Sequence, residues 1–231
     1  MKFKDLLKLY ENKKLQYGND TYKYVSQLLK EAKILHKKDW LQFPTPNKDH
    51  EQSWRAFKGK NLEKLITYII KDEVKRLGLE VVEGNTLERT KCENLSKVLN
   101  QVKRNLSVDF GEFGFHLPDV DIIIYNQKNC KVIAVLSSKV TLRERIAQTG
   151  YWKIKLSQDP ITKDIKVFFI TPDEDKTLTY REPPKKGRAI VEIDTDGAYI
   201  MNEEDIQESD KVKKFDNFII DLKNLINEKN K

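Results

Sequence analysis

The sequence predicts an α/β protein, a mixed β-sheet flanked by helices with a helical piece in front of it. Three observations predict it. Apolar residues recur at helical spacing through residues 3–36 and 52–77; the period changes to strand-like runs at 121–125 and 131–136; and around those runs the order is helix, strand, strand, helix, strand. That alternation is what a sheet covered by helices requires. At 231 residues the chain suffices for one α/β domain with a small appended part and is cramped for two.

Two amphipathic helices are expected at the start, over 3–15 and 20–36, the second with Tyr24, Leu28, Leu29 and Ala32 on one face. Phe43-Pro44-Thr45-Pro46-Asn47 then breaks any helix, because proline lacks the amide donor and holds its predecessor extended. A boundary is placed there, with a helical N-terminal subdomain over 1–48 and the main domain over 49–231. A long helix is expected over 52–77, with Leu62, Leu65, Ile66, Ile69, Ile70, Val74 and Leu77 facing the core and Gly78 as its stop. After an extended 79–82, the apolar positions Leu95, Val98, Leu99, Val102 and Leu106 predict one helix over 87–106.

From Val108 onward the texture becomes β-rich. The runs 121–125 and 131–136, joined by the polar turn Asn126-Gln127-Lys128-Asn129, predict an antiparallel hairpin with a buried second strand. A helix over 141–156, a buried strand over 166–171, a second hairpin pairing 189–194 with 198–201 across Thr195-Asp196-Gly197, and a closing helix over 215–226 complete the expectation.

Composition narrows the function. With 39% hydrophobic and 34% charged residues, a membrane protein and a wholly disordered chain are both excluded. The net charge of +7 favours a polyanionic partner, since Lys and Arg gain free energy by releasing counterions from phosphates; a densely charged solvated surface is the rival reading. Cys92 and Cys130 have neither the spacing of a zinc ribbon nor that of a disulfide framework. His36, His50 and His116 are isolated in sequence, which gives zinc or histidine-nucleophile chemistry little to build on. Residues 1–14 lack a signal-peptide apolar run, so a cytoplasmic protein is expected.

The chemistry concentrates on the first hairpin. A turn centred on Lys128 pairs Asp119 with Ser137, and strand alternation gives Asp119 and Asp121 a shared face, as it does Ser137 and Lys139. Carboxylates and an ammonium then converge at the open end. Carboxylate oxygens suit a hard cation such as Mg²⁺, and a cation beside an attacking water is what phosphodiester hydrolysis needs.

Leu117-Pro118-Asp119-Val120-Asp121, the turn, and Ala134-Val135-Leu136-Ser137-Ser138-Lys139 together resemble the PD-(D/E)XK nuclease motif, with serine where most members carry the acid. The segment is similar to the branch of type II restriction endonucleases that reads CCGG-type sites with an S-x-K variant. That resemblance implies a restriction-endonuclease-like fold, with Asp119, Lys139, Glu63 and Ser137 as the catalytic set. It implies Mg²⁺ held by Asp119, Glu63, the Ser138 carbonyl and Asp121. Glu63 stands in for the missing acid, on the long helix that such nucleases pack beside the hairpin. The branch also carries an R-(D/E)-R motif, matched by Arg143-Glu144-Arg145; arginine reads guanine bidentately and a carboxylate accepts from cytosine N4, which implies a G·C-containing site.

Arg55 and Lys58 are the further DNA contacts expected, on phosphates. Double-stranded DNA is thus the expected partner, and symmetric cutting implies a homodimer. Residues 1–36 are expected to bury part of their apolar surface on the second subunit. Simpler readings stand beside these: Asp119 as a strand-entry cap, Asp121 as a surface charge, Glu63 in a salt-bridged helix face, Arg143 and Arg145 on phosphate alone, and Glu144 as a catalytic acid.

Overall fold

The computed structural model describes residues 1–44, 49–142 and 145–228. Helices α1 (Phe3–Tyr17) and α2 (Val25–Gln42), joined by a 3-10 turn over Gly18–Tyr24, form the amino-terminal part. The long helix α3 (His50–Arg76) follows, capped by Asp49, whose carboxylate accepts from the Gln52 amide at 2.7 Å. The expected break falls between α2 and α3; its Thr45, Pro46 and Asn47 lie outside the described residues.

Strand β1 (Glu80–Glu83) leads into α4 (Gly84–Arg89) and α5 (Lys97–Leu106). The single helix expected over 87–106 is therefore two. Thr90 and Leu95 are extended, and Ser96 starts α5 afresh by accepting the Leu99 amide at 3.2 Å. A short hairpin of β2 (Val108–Asp109) and β3 (Phe115–His116) had no sequence signal, being two residues a strand. The expected hairpin is β4 (Ile122–Tyr125) and β5 (Val132–Ser138), β5 being buried along its whole length.

Helix α6 (Arg145–Ser157) and strand β6 (Lys166–Thr171) follow. Residues 189–194, expected as a strand, instead belong to the helix α7 (Lys186–Asp194). The topology demands this. Strand β7 (Gly197–Ile200) pairs parallel to β6, Phe168 opposite Gly197, and parallel neighbours need a crossover, which a tight hairpin turn cannot provide. Strand β8 (Val212–Lys214), too short and polar to read from sequence, and α8 (Asn217–Glu228) complete the chain.

The six strands run in the order β1-β4-β5-β6-β7-β8, antiparallel over the first three and parallel over the last four. One face carries Ile122, Ile124, Ala134, Leu136, Phe168 and Ile170. It packs with Leu62, Leu65 and Ile66 of α3, and with Leu6 of α1 and Leu28 and Leu29 of α2, in one apolar cluster. The other face splits in two. Ile123, Val135 and Val167 pack with α5 through Val102 and Leu106. Phe169, Ala198 and Ile200 pack with Ile146 of α6 and Val191 of α7. The sheet is thus sandwiched between helices, and the amino-terminal helices share the core of α3. No helix among the described residues is long and apolar enough to cross a membrane.

Candidate active site

The hairpin's register decides which acid meets the lysine. Ile122 pairs with Leu136 and Ile124 with Ala134, whereas Tyr125 pairs with Val132, so Ile133 is an extra residue bulged out of β5. The loop closes by the Asn126 amide on the Lys131 carbonyl at 2.9 Å, which centres it half a residue beyond Lys128. Turn and bulge together advance the pairing by two. Asp121, not Asp119, stands opposite Ser137, and the Asp121 amide donates to the Leu136 carbonyl at 3.1 Å. A shift of two preserves the face and moves the position along the strand by about 7 Å.

Asp121 Oδ2 accepts from Lys139 Nζ at 2.7 Å and from the Ser138 amide at 2.6 Å. This pair opens into a cleft of about 1010 Å³ whose walls include Glu63, Lys58 and Arg55 of α3, Ser138 at the end of β5 and Lys139 just after it. Glu63 is only 7% exposed, and its Oε1 has no hydrogen-bond partner. Burial first, then the negative charges of Asp121 and Glu83, push its carboxyl up to about 7, against the pull of Lys139 and the Asn85 amide. Ser138 is 6% exposed, with an equally unpartnered Oγ.

The other expected residues fall elsewhere. Asp119 is exposed, outside the cleft, and accepts from Gln148 Nε2 of α6 at 2.8 Å. Ser137 is buried on the α6 side of the sheet, its hydroxyl 3.4 Å from that of Thr149. The two pin α6 against the hairpin. Lys58 is partly engaged, 3.3 Å from Glu174, while Arg55 is exposed on the rim. Arg143 and Glu144 lie outside the described residues, and Arg145 is described only as the backbone that opens α6. Sequence reasoning passed over Glu83, Asn85 and Arg89, which line the same cleft; their only signal was adjacency to β1. It also treated His36 and His50 as isolated. Their rings meet, Nδ1 to Nε2 at 3.3 Å, beneath Trp54 and Phe57, where α2 packs against α3.

Among the described residues no three His, Cys, Asp or Glu side chains form a ready-made metal cluster. The donors that do face the cleft are all oxygens, and two of them are buried without partners. That fits a hard divalent ion which takes one or two carboxylates and keeps several waters.

A carboxylate–lysine pair at the mouth of a hairpin, in a basic cleft on a mixed α/β sheet, defines a class of phosphodiester-cleaving enzymes. Known proteins give the family. A family model described as BsaWI restriction endonuclease type 2 matches residues 98–221. A protein of Methanocaldococcus jannaschii named as a type II restriction enzyme, MjaVIP, is 40% identical over 176 residues, 74% of this chain and 76% of that one. A protein of Helicobacter pylori named as a type II restriction enzyme, HpyAORF263P, is 39% identical over 127 residues, 55% of this chain and 64% of that one. The solved complex of restriction endonuclease AgeI with DNA shares the fold, with a TM-score of 0.55 over 94% of this chain and 91% of that one at 14% identity. The chain belongs to the BsaWI type II restriction endonuclease family, and is thereby a site-specific deoxyribonuclease. The family match covers Asp119, Asp121 and Lys139 but begins after Glu63 and Glu83.

Proposed function

We propose that this enzyme cuts double-stranded DNA at a short G·C-containing site with Mg²⁺, and that Asp121, Glu63, Ser138 and Lys139 form its active centre. The observation that carries this is the contact of Asp121 with Lys139 in a cleft that also holds the unpartnered carboxylate oxygen of Glu63. Asp121 and Glu63 would hold the ion, with Ser138 at the same strand end. A bound Mg²⁺ supplies Lewis-acid polarisation of the phosphodiester and a water of lowered pKa.

The chain's own residues do the rest. Lys139 orients the attacking water and steadies the charge that builds on the phosphorus oxygens, a role strengthened where water is thinned. The water oxygen bonds to phosphorus, the P–O3′ bond breaks, and the leaving oxygen takes a proton, giving 5′-phosphate and 3′-hydroxyl ends. Arg55 on the cleft rim is placed to neutralise a flanking phosphate.

Arg143, Glu144 and Arg145, just before and at the start of α6, are the proposed base-reading segment, and the bonds of Asp119 and Ser137 to α6 hold that helix to the cutting hairpin. Two copies bound symmetrically would cut both strands. The exposed Ile34, Leu41 and Phe43 of the α2 region offer apolar surface for such a pairing.

Plasmid cleavage in Mg²⁺ and in EDTA, by wild type and by Asp121→Asn and Lys139→Ala, tests the centre. Cleavage is expected only for wild type in Mg²⁺, with DNA binding retained by both variants. Near-normal turnover by either variant overturns the assignment. Reading is tested separately by the ratio of cognate to random-duplex affinity for Arg145→Ala at one salt concentration. A bidentate base contact is worth about 1–3 kcal/mol of discrimination, so the ratio should fall at least about tenfold; an unchanged ratio makes Arg145 a phosphate anchor.

A further inference from the structure

We propose that Glu83 is a further acidic member of this centre, the carboxylate that the segment Ser137-Ser138-Lys139 does not supply. The proposal rests on reading the cleft as a divalent-cation site.

Glu83 is the last residue of β1, and its Cα pairs with Ile122, the residue directly after Asp121. The junction beyond it is pressed onto the backbone that carries Asp121. The Gly84 amide donates to the Asp121 carbonyl at 2.8 Å, and a Cβ on Gly84 would lie 1.8 Å from the Val120 carbonyl oxygen. Only glycine allows that approach, so β1 and the Asp121 segment are held in one fixed relation. Strand alternation then sets the side. Val81 packs into the core cluster of α3, and Glu83, two residues on, shares that face with Glu63.

Glu83 accordingly lines the same cleft as Glu63, Asp121, Ser138 and Lys139, and its charge is among those that raise the Glu63 carboxyl. Among the described residues no hydrogen bond or ion pair engages the Glu83 carboxylate. A structural salt bridge therefore does not account for it. The independent sign of a ligand is the pair of buried, unpartnered oxygens, Glu63 Oε1 and Ser138 Oγ, on the wall of that cleft. Leaving such groups unsatisfied is costly, which points to a partner that arrives from outside. A carboxylate added to that wall raises affinity for a divalent cation, either as a direct ligand or by accepting from a water on it.

The test is calorimetric titration of Mn²⁺ into the full-length protein without DNA, for wild type, Glu83→Gln, Glu83→Asp and Asp121→Asn, alongside DNA affinity measured in EDTA. Glu83→Gln should weaken Mn²⁺ binding at least about tenfold and Glu83→Asp by less, with DNA affinity in EDTA undiminished. Wild-type Mn²⁺ affinity in Glu83→Gln, with loss in Asp121→Asn, overturns the role of Glu83 and leaves the centre standing. Wild-type affinity in Asp121→Asn as well removes the cation site and the proposal with it. Should Glu83→Gln fail to fold, Glu83→Asp decides, since it keeps the charge and shortens the arm by one methylene: weakened Mn²⁺ binding supports the proposal and unchanged binding overturns it.

Discussion

Replacing Glu63 by glutamine should make the metal-free enzyme more stable while disabling it, and the gain should depend on pH. The carboxyl is raised from 4.5 to about 7 in the folded protein. The folded state therefore keeps a proton that the unfolded chain gives up above pH 4.5, so stability falls as pH rises from 4.5 to about 7 and is flat beyond. At about 1.4 kcal/mol per pH unit the penalty reaches about 3 kcal/mol. The cleft is open to water, whose screening brings the expected value nearer about 2 kcal/mol. Glutamine, shaped like the protonated acid, carries no such penalty. In EDTA the melting temperature of Glu63→Gln should match wild type near pH 4.5 and exceed it at pH 8 by about 4–8 °C, at about 2–4 °C per kcal/mol for a chain of this size. Added Mg²⁺ should then raise the wild-type melting temperature and leave the variant unmoved. A variant no more stable than wild type at pH 8, or equally changed at both pH values, refutes the reasoning.

The two aspartates of the hairpin should separate. Asp121→Ala should abolish cleavage, whereas Asp119→Ala, which loses one exposed hydrogen bond to Gln148, should retain cleavage and lose no more than about 1.5 kcal/mol of stability; equal loss of activity in both would restore Asp119 to the centre. Restoring the family's acid by Ser137→Asp should not strengthen Mn²⁺ binding and should destabilise the fold by at least about 3 kcal/mol, because the new carboxylate is buried facing Thr149; tighter Mn²⁺ binding in a folded variant would contradict this placement. The His36 ring is held below its usual 6.5 by burial, by His50 and by the amino terminus, so the unfolded chain binds the extra proton and stability is lost as pH falls below about 6.5. Denaturant melts of His36→Gln should show a flatter acid limb than wild type, and an identical slope would refute it.

Much of this architecture was legible because it is periodic. The core faces of α1, α2 and α3 repeat at 3.6 residues, and the buried run of β5 is long enough to read as a strand. What escaped reading was set by pairing, which no local pattern carries. Ile190, Val191 and Ile193 look like a strand, yet the parallel join of β6 to β7 forces them into a crossover helix, where Ile193 ends up 77% exposed. The site was legible as a motif and not as a geometry. Asp119 and Asp121 have the same parity, so alternation cannot choose between them; a single bulged residue, Ile133, and a loop centred half a residue late decide which one stands opposite Ser137. Glu63 was found through its helix and Glu83 was not, because β1 is four residues long and its last member carries no pattern.

The serine of the S-x-K segment follows from where its strand is packed. Strand β5 is covered on both faces along all seven residues, and at position 137 the side chain meets α6 through Thr149. A carboxylate there would lie on the side of the sheet away from Glu63, under a helix whose first turn continues the proposed base-reading segment. A hydroxyl avoids that burial, keeps β5 closely packed, and tethers α6 to the hairpin. The negative charge that a hard cation would require then comes from other elements at the same strand end. Among the described residues, the acids that line the cleft there are Asp121 just before β4, Glu63 of α3 and Glu83 of β1. In the proposed assignment, the cutting residues and the base-reading segment are linked through one strand end, at Ser137, Ser138 and Lys139. A substitution that shifts β5 by even a residue would disturb both at once.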